Sequence, residues 1–433
     1  MPEKLIVKNF AGIKELEIEV RKINILIGPQ ASGKSVCAKL LFYFKSFIGD
    51  ILSTVVNEQT KRDLNSNYSK KFEEYFPSNS LGNNEFFIRY QISDVFIEIS
   101  KNPQNKGKVL LTYSDFYKQL FDDLRNYIKK EKKKASKDKR YEALGINISY
   151  LIIGREYLTE YMIKDSLGIE AQFVQLFIPA GRSFFANLQS NIFSFISSNN
   201  ALDPFLRDFG STYENMKGIR YRLRSRIKNQ SREEKDIQDE IDRLVEKALC
   251  GKHIHEKGKD FLEIADGRRI SIANSSSGQQ ETLPLAIMLA TLPFFINPRS
   301  SPGRTVYIEE PEAHLFPSAQ RDIIDLIATV FNQQQDQLQF FITTHSPYTL
   351  TAINNLLQAG ILYNQADENA LNELEKIVPR YKALMTKDLS AYTLADGKCC
   401  NIICPDTGLI DAKVIDAVSD ELAIEFDKLL NLA

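Results

Sequence analysis

One octapeptide constrains this chain more than any other feature. Gly28-Pro29-Gln30-Ala31-Ser32-Gly33-Lys34-Ser35 satisfies Gly-x-x-x-x-Gly-Lys-Ser/Thr at every fixed position. It follows Ile23-Asn24-Ile25-Leu26-Ile27, a nearly unbroken apolar run that suits a strand buried on both faces, and it precedes a helical pattern over 34–48. Glycines at 28 and 33 let the loop curl until its N–H groups point inward at phosphate oxygens. The following helix adds its unpaired N-terminal N–H groups and the positive end of its dipole. In this reading Lys34 neutralises the β- and γ-phosphates of ATP and Ser35 ligates Mg²⁺. Pro29, Gln30, Ala31, Ser32 and Val36 complete the cradle. Average residue frequencies give such a match by chance in about one chain of this length in a hundred.

Three further segments carry chemistry-bearing residues. Val306-Tyr307-Ile308-Glu309-Glu310-Pro311-Glu312 is an apolar strand running into carboxylates. Beside a phosphate loop, one such carboxylate holds the Mg²⁺ shell and a second polarises the attacking water, which assigns Glu309 to the metal and Glu310 to the water. Phe340-Phe341-Ile342-Thr343-Thr344-His345 is a second apolar strand, ending in a histidine that would stand near a γ-phosphate. Asn274-Ser275-Ser276-Ser277-Gly278-Gln279-Gln280 precedes an apolar helix; a Ser/Gly loop at a helix N-terminus is a second anion cradle, and equally an ordinary cap.

The four motifs occur in the order phosphate loop, Ser-Gly-Gln signature, acidic strand, histidine, and together they resemble the ATPase heads of ABC-type ATPases. The stretch 309–317, Glu-Glu-Pro-Glu-Ala-His-Leu-Phe-Pro, with the long insertion before it, resembles the SMC/RecF/OLD branch, often grouped as AAA-family ATPases. The resemblance implies an α/β P-loop NTPase fold with a mixed or parallel sheet. It also implies a homodimer, or a higher oligomer, closing head to tail around ATP. Carried over, Ser276, Ser277, Gly278 and Gln279 reach the nucleotide held by the other copy, His345 senses the γ-phosphate, and Lys34, Glu310 and His345 form the catalytic set. The signature has Ser275 and Ser277 where the family pattern has Leu and Gly, and Glu309 stands where Asp is commoner. Gln172 and Gln175 are candidates for the family's glutamine loop, and Arg182 either reaches the site or forms an ordinary salt bridge.

The rest of the chain supplies context. Residues 1–115 and 266–433 read as two parts of one head. Residues 116–265 read as a mainly helical, highly charged insertion projecting from it, with a head strand near 175–182. Residues 418–430 read as an amphipathic helix packing on the head. Within the insertion, 129–140 holds eight Lys/Arg against two Asp/Glu, and Arg220, Arg222, Arg224, Arg226 and Lys228 alternate with Tyr221, Leu223 and Ile227. Either stretch suits phosphate contact with nucleic acid or a solvated face.

Composition limits the alternatives. With 55 Lys+Arg against 56 Asp+Glu, the chain is not globally basic. Five Cys without paired CxxC spacing suggest reduced thiols, and four His leave little material for a histidine-rich metal centre. The most apolar uncharged stretch, 282–297, contains Pro284 and Pro293 and is too short to cross a bilayer, so a cytoplasmic protein without membrane contact is expected. The residues after 350 lack the Glu and Asp-x-Asp pattern of a two-metal nuclease. The layout therefore resembles the ATPase subunits of bacterial anti-phage systems of the PtuA and AriA kind, where a separate effector, a nuclease or toxin, carries the toxic activity. The alternative is a DNA-repair or chromosome-associated ATPase of SMC/RecF type that binds DNA directly.

Overall fold

Strand β3 (Ile23–Ile27) is buried at all five positions, as an unbroken apolar run requires. Its two neighbours, β12 (Leu338–Thr344) and β13 (Leu389–Ala395), both run parallel to it. Strand β11 (Arg304–Glu309) pairs parallel with β12, and β7 (Val174–Ile178) parallel with β11. Side chains alternate between the two faces. Ile23, Ile25, Ile27, Val306, Ile308, Phe340 and Ile342 enter one apolar core, while Leu26, Tyr307 and Phe341 enter the other.

The computed structural model describes residues 2–77, 85–101, 109–135, 146–163, 166–188, 202–224, 232–256, 258–295, 303–411 and 423–430. In it the parallel strands continue into an antiparallel half made of β1 (Glu3–Phe10), β2 (Ile13–Val20), β4 (Phe86–Ile92), β5 (Val95–Lys101) and β6 (Val109–Tyr113). Strand β14 (Lys398–Asn401) joins the halves, giving the eleven-stranded order β6-β5-β4-β1-β2-β14-β13-β3-β12-β11-β7. The apolar stretch at 86–100 is two strands because the chain reverses at Ser93, whose φ is +50°.

Helices cover both faces. On one side lie α1 (Lys34–Lys45), α2 (Phe47–Val56), α3 (Lys61–Tyr75), α4 (Asp115–Ala135) and α5 (Ile146–Tyr157). On the other, after the short α6 (Ser183–Leu188), lie α7 (Pro204–Arg224), α8 (Arg232–Leu249), α9 (Ser277–Phe295), α10 (Pro317–Gln333) and α11 (Pro347–Tyr363). The apolar stretch at 282–297 falls on α9 as far as Phe295, and its Leu283 to Leu292 apolar side chains are fully buried. No helix among the described residues is long and apolar enough to cross a membrane.

The helices expected to project do not project. Tyr117, Leu120, Phe121 and Leu124 of α4 are core residues on one face, and Phe209, Tyr213, Ile241, Leu244 and Leu249 of α7 and α8 are core residues on the other. Their charged faces are solvated while their apolar stripes cover the sheet, so charge content alone misplaced them. Arg220 is likewise no phosphate contact: it is buried, donates to the Ala290 carbonyl at 2.8 Å and is paired with Asp242. The side chains of Arg222, Arg224, Arg226 and Lys228 lie outside the described residues, as do residues 136–140. Lys132 and Lys134 are paired with Glu58 and Glu131. At the C-terminal end, the eight described helical residues 423–430 are all exposed, so this segment does not pack on the head as expected. All five cysteines are free.

The sequence reading missed a three-stranded antiparallel sheet, β8 (Lys252–Glu256), β9 (Lys259–Glu263) and β10 (Arg269–Ser271). Its buried Asp260 accepts from His253 Nε2 at 3.0 Å, His255 Nδ1 at 2.7 Å and Lys217 Nζ at 3.1 Å. Burial lowers the His253 pKa below its ordinary 6.5, outweighing Asp260. The unfolded chain therefore takes up a proton there before the folded one does, and stability contributed by His253 is lost as pH falls below about 6.5. Asp260 is held ionised by the two histidines and Lys217, and its contribution is lost only in stronger acid. In His253→Gln, whose amide donates without titrating, the drop in urea midpoint between about pH 7.5 and 5.5 should shrink.

Candidate functional site

The C-terminal ends of parallel strands share one edge, where α/β folds bind ligands. Here that edge receives the loop after β3, the turn at 179–182 after β7, Glu309 as the last residue of β11 with Glu310 just after it, and His345 after β12. The phosphate loop alternates in hand: Ala31 has φ +59° and Gly33 +103°, a nest that turns successive N–H groups to one side. Pro29, Gln30, Ala31 and Ser35 are exposed, Gly28, Ser32, Gly33 and Val36 are partly covered, and Lys34 is buried at the start of α1.

Lys34 Nζ donates to the carbonyls of Gly28 and Pro29, both at 2.7 Å, with Ser32 Oγ at 3.4 Å. Burial pulls its pKa down, against the opposing charges of Glu310 and Glu312. The ammonium also lies 3.3 Å from His345 Nδ1, and His345 Nε2 lies 3.0 Å from Glu310 Oε1. An ammonium only donates, so Nδ1 accepts and the ring proton sits on Nε2, facing the carboxylate. Three separate segments, the first of them hundreds of residues from the other two, thus form one relay, Lys34–His345–Glu310.

Glu312 fixes the base of this relay. Its Oε1 accepts from the His345 N–H at 2.6 Å and Thr344 Oγ1 at 2.7 Å. The sequence reading gave Glu312 no role; the signal was present in the third carboxylate, but its partner lies on another strand. Glu309 Oε2 accepts from the Ala180 N–H at 3.1 Å, while its Oε1 is buried with no hydrogen-bond partner. Glu310 itself has φ +44°.

The signature loop is a helix start. Ser276 caps α9 and Gln279 answers it, accepting from the Ser276 N–H at 3.1 Å while the Gln279 N–H approaches Ser276 Oγ at 3.3 Å. Gln279 Nε2 donates to the Leu249 carbonyl at 2.9 Å, so both ends of its amide are engaged within this chain. Ser276 and Ser277 are exposed. Gly278 lies against the turn after the acidic strand: a Cβ there would stand 2.6 Å from the His314 carbonyl oxygen. The loop is therefore seated on the acidic-strand side of its own head.

The glutamine candidates fall elsewhere. Gln172 and Gln175 lie at the opening end of β7, opposite the edge that holds Lys34, and are engaged by Thr159 and the Tyr307 hydroxyl. The turn at the other end of β7 reaches the site instead, through Ala180 and Arg182.

The residues fit a nucleotide with Mg²⁺. A carboxylate oxygen that is buried without a partner is costly to leave alone, and Glu309 Oε1 is such an atom beside the cradle. Among the described residues no group of three or more His, Cys, Asp or Glu could hold a metal alone. Mg²⁺ shared between phosphates and one or two protein oxygens needs no such cage.

The profile of the family described as AAA ATPase domain matches residues 1–350. The chain belongs to the AAA ATPase domain family. Over 128 residues, 29% of this AAA ATPase chain, it is 29% identical to the Retron Vc95 probable ATPase of Vibrio cholerae serotype O1 biovar El Tor. That match spans 24% of the relative's length. Among solved structures, the SMC head domain from Thermotoga maritima is 12% identical with a TM-score of 0.35, covering 93% of this chain and 98% of that one. The recombination mediator protein RecF bound to ATP is 11% identical with a TM-score of 0.34, covering 93% and 99%.

Proposed function

We propose that this AAA ATPase chain binds and hydrolyses ATP at a site shared by two copies, and that closing and opening of the pair controls a separate effector protein. The observation that carries this reading is the Lys34–His345–Glu310 relay, which places the phosphate-loop cation, a strand-end imidazole and a carboxylate base within hydrogen-bonding reach of one another. A γ-phosphate entering the cradle competes for Lys34 and for the imidazole. His345 then turns from Lys34 toward that anion, and Glu310 is released toward the attacking water. Ser35 and Glu309 would hold Mg²⁺, which supplies charge neutralisation on the β- and γ-phosphates. The exposed Ser276 and Ser277, at the N-terminus of α9, suit the same nucleotide from a second copy.

The effector role takes its support from the resemblance of the sequence layout to anti-phage ATPase subunits of the PtuA and AriA kind, and from the similarity to the retron ATPase. In that role the chain is the nucleotide-driven switch, and a nuclease or toxin is its partner.

Complementation tests the shared site. Lys34→Ala chains keep an intact signature and Ser277→Arg chains an intact phosphate loop. Each alone should be nearly inactive, while an equal mixture should regain about a quarter of wild-type turnover, because half the pairs then contain one whole site of two. A mixture no more active than its components overturns the shared site.

A further inference from the structure

Arg182 is the largest fully buried side chain among the described residues, with 0% of its surface exposed. An ordinary buried arginine faces a carboxylate fork. This one spends four of its five N–H groups on backbone carbonyls. Nε donates to Glu281 O at 3.0 Å, Nη1 to Pro179 O at 3.1 Å and Glu309 O at 2.9 Å, and Nη2 to Glu310 O at 3.1 Å. The Glu281 carboxylate stands 3.6 Å from Nε and accepts from Ser183 Oγ at 2.8 Å.

These partners belong to different working parts of the site. Glu281 sits in the first turns of α9, three positions after Gly278 of the signature loop. Glu309 and Glu310 are the acidic strand end, and Pro179 opens the turn whose Ala180 N–H holds Glu309 Oε2. The Glu310 backbone occupies the left-handed region at φ +44°, which a side chain of that size adopts only when its surroundings impose it. The Arg182 fork grips both carbonyls flanking that strained residue. No other charged side chain is rigid and planar enough to hold both carbonyls at once, and a lysine reaches one of them as a point charge.

We infer that Arg182 is a positioning residue that links the two nucleotide-contacting surfaces of one head, so that contact of its signature loop with the partner's nucleotide adjusts the Glu310 carboxylate over its own. The linkage runs from Ser277 through the start of α9 to the Glu281 carbonyl, through the guanidinium to the Glu309 and Glu310 carbonyls, and on to His345 and Lys34. Gly278 against the His314 carbonyl keeps the signature end of the route stiff, since nothing there leaves room to absorb a shift. The linkage rests on the two-copy site proposed above and specifies how its halves communicate.

A double-mutant cycle on turnover tests it. Arg182→Lys should lower kcat by about 30-fold while ATP affinity of the loaded phosphate loop changes less than about threefold, because the fork touches no nucleotide. Ser277→Ala removes an exposed hydroxyl and should lower kcat by about tenfold. If the signature acts through Arg182, the double variant should lose about 30-fold in all, not the ~300-fold product. Glu281→Gln keeps the side-chain shape but removes the carboxylate charge 3.6 Å from Nε that holds the guanidinium against α9, so it loosens the same link and carries the same cycle at smaller amplitude should Arg182→Lys fail to fold. Losses that multiply, with Ser277→Ala impaired on its own, overturn the linkage and leave the shared site standing. Full turnover in Ser277→Ala, together with turnover per chain that does not depend on chain concentration, overturns the shared site and the linkage with it.

Discussion

In Glu310→Gln, ATP turnover should fall by about a thousandfold, the scale of a lost general base, while ATP still binds and the loaded protein accumulates as a dimer. The substitution is nearly isosteric. The Gln oxygen still accepts from the His345 Nε2–H, which now spans 3.0 Å to Glu310 Oε1, so the relay to Lys34 is kept. What disappears is an oxygen basic enough to take the proton of attacking water. A step that follows binding is then blocked, and the closed state fills. Light scattering after gel filtration reads the outcome: dimer with ATP, monomer with ADP. Equal association in both nucleotides, or turnover within about tenfold of wild type, would remove Glu310 from the role of base.

The parts of this protein that were legible in its sequence are those whose signal is local. The phosphate loop sits between an unbroken apolar strand and a helix, and each neighbour marks it: Ile23 to Ile27 are buried throughout and Lys34 opens α1. The strands ending in Glu309 and His345 announce themselves the same way. What stayed hidden depends on partners far along the chain. Strand β13, Leu-Ser-Ala-Tyr-Thr-Leu-Ala, looks like a mixed polar stretch until β3 is laid beside it; its Ser390 hydroxyl donates to Asn24 Oδ1 and its Tyr392 hydroxyl accepts from the Glu19 N–H. Charge misled where it was read as exposure. Helix α8 carries Arg, Glu, Lys and Asp on one side and Ile241, Leu244 and Leu249 on the other, and the second set decides its place. Arg182 stood open between reaching the site and forming an ordinary salt bridge, because sequence shows a guanidinium but not the four carbonyls converging on it.

Gly28→Ala should be among the most destabilising single-methyl additions in the protein, for a reason the motif does not state. The motif reading assigns this glycine to loop curvature, yet Gly28 is not among the residues at positive φ; Ala31 and Gly33 supply that curvature. Gly28 is needed because a Cβ there would stand 2.1 Å from the Leu394 carbonyl oxygen and 3.1 Å from Ser32 Oγ. Strand β13 runs beside β3 as far as Thr393 opposite Ile27, so the next carbonyl closes over the start of the loop. Both clashing groups at Leu394 are backbone, and no rotamer change relieves them. Either β3 and β13 part or the loop lifts, at a cost near the upper end of the about 1–3 kcal/mol typical of overpacking. Gly33→Ala differs in kind. Its nearest obstacle is Ile13 Cγ1 at 2.7 Å, a side chain, and its φ of +103° adds conformational strain. Shortening Ile13 to Ala should therefore recover part of the loss in Gly33→Ala and none of the loss in Gly28→Ala. Urea midpoints of the three single and two double variants decide it, each double read against Ile13→Ala alone. A Gly28→Ala protein within about 0.5 kcal/mol of wild type would mean that β13 does not close on the loop.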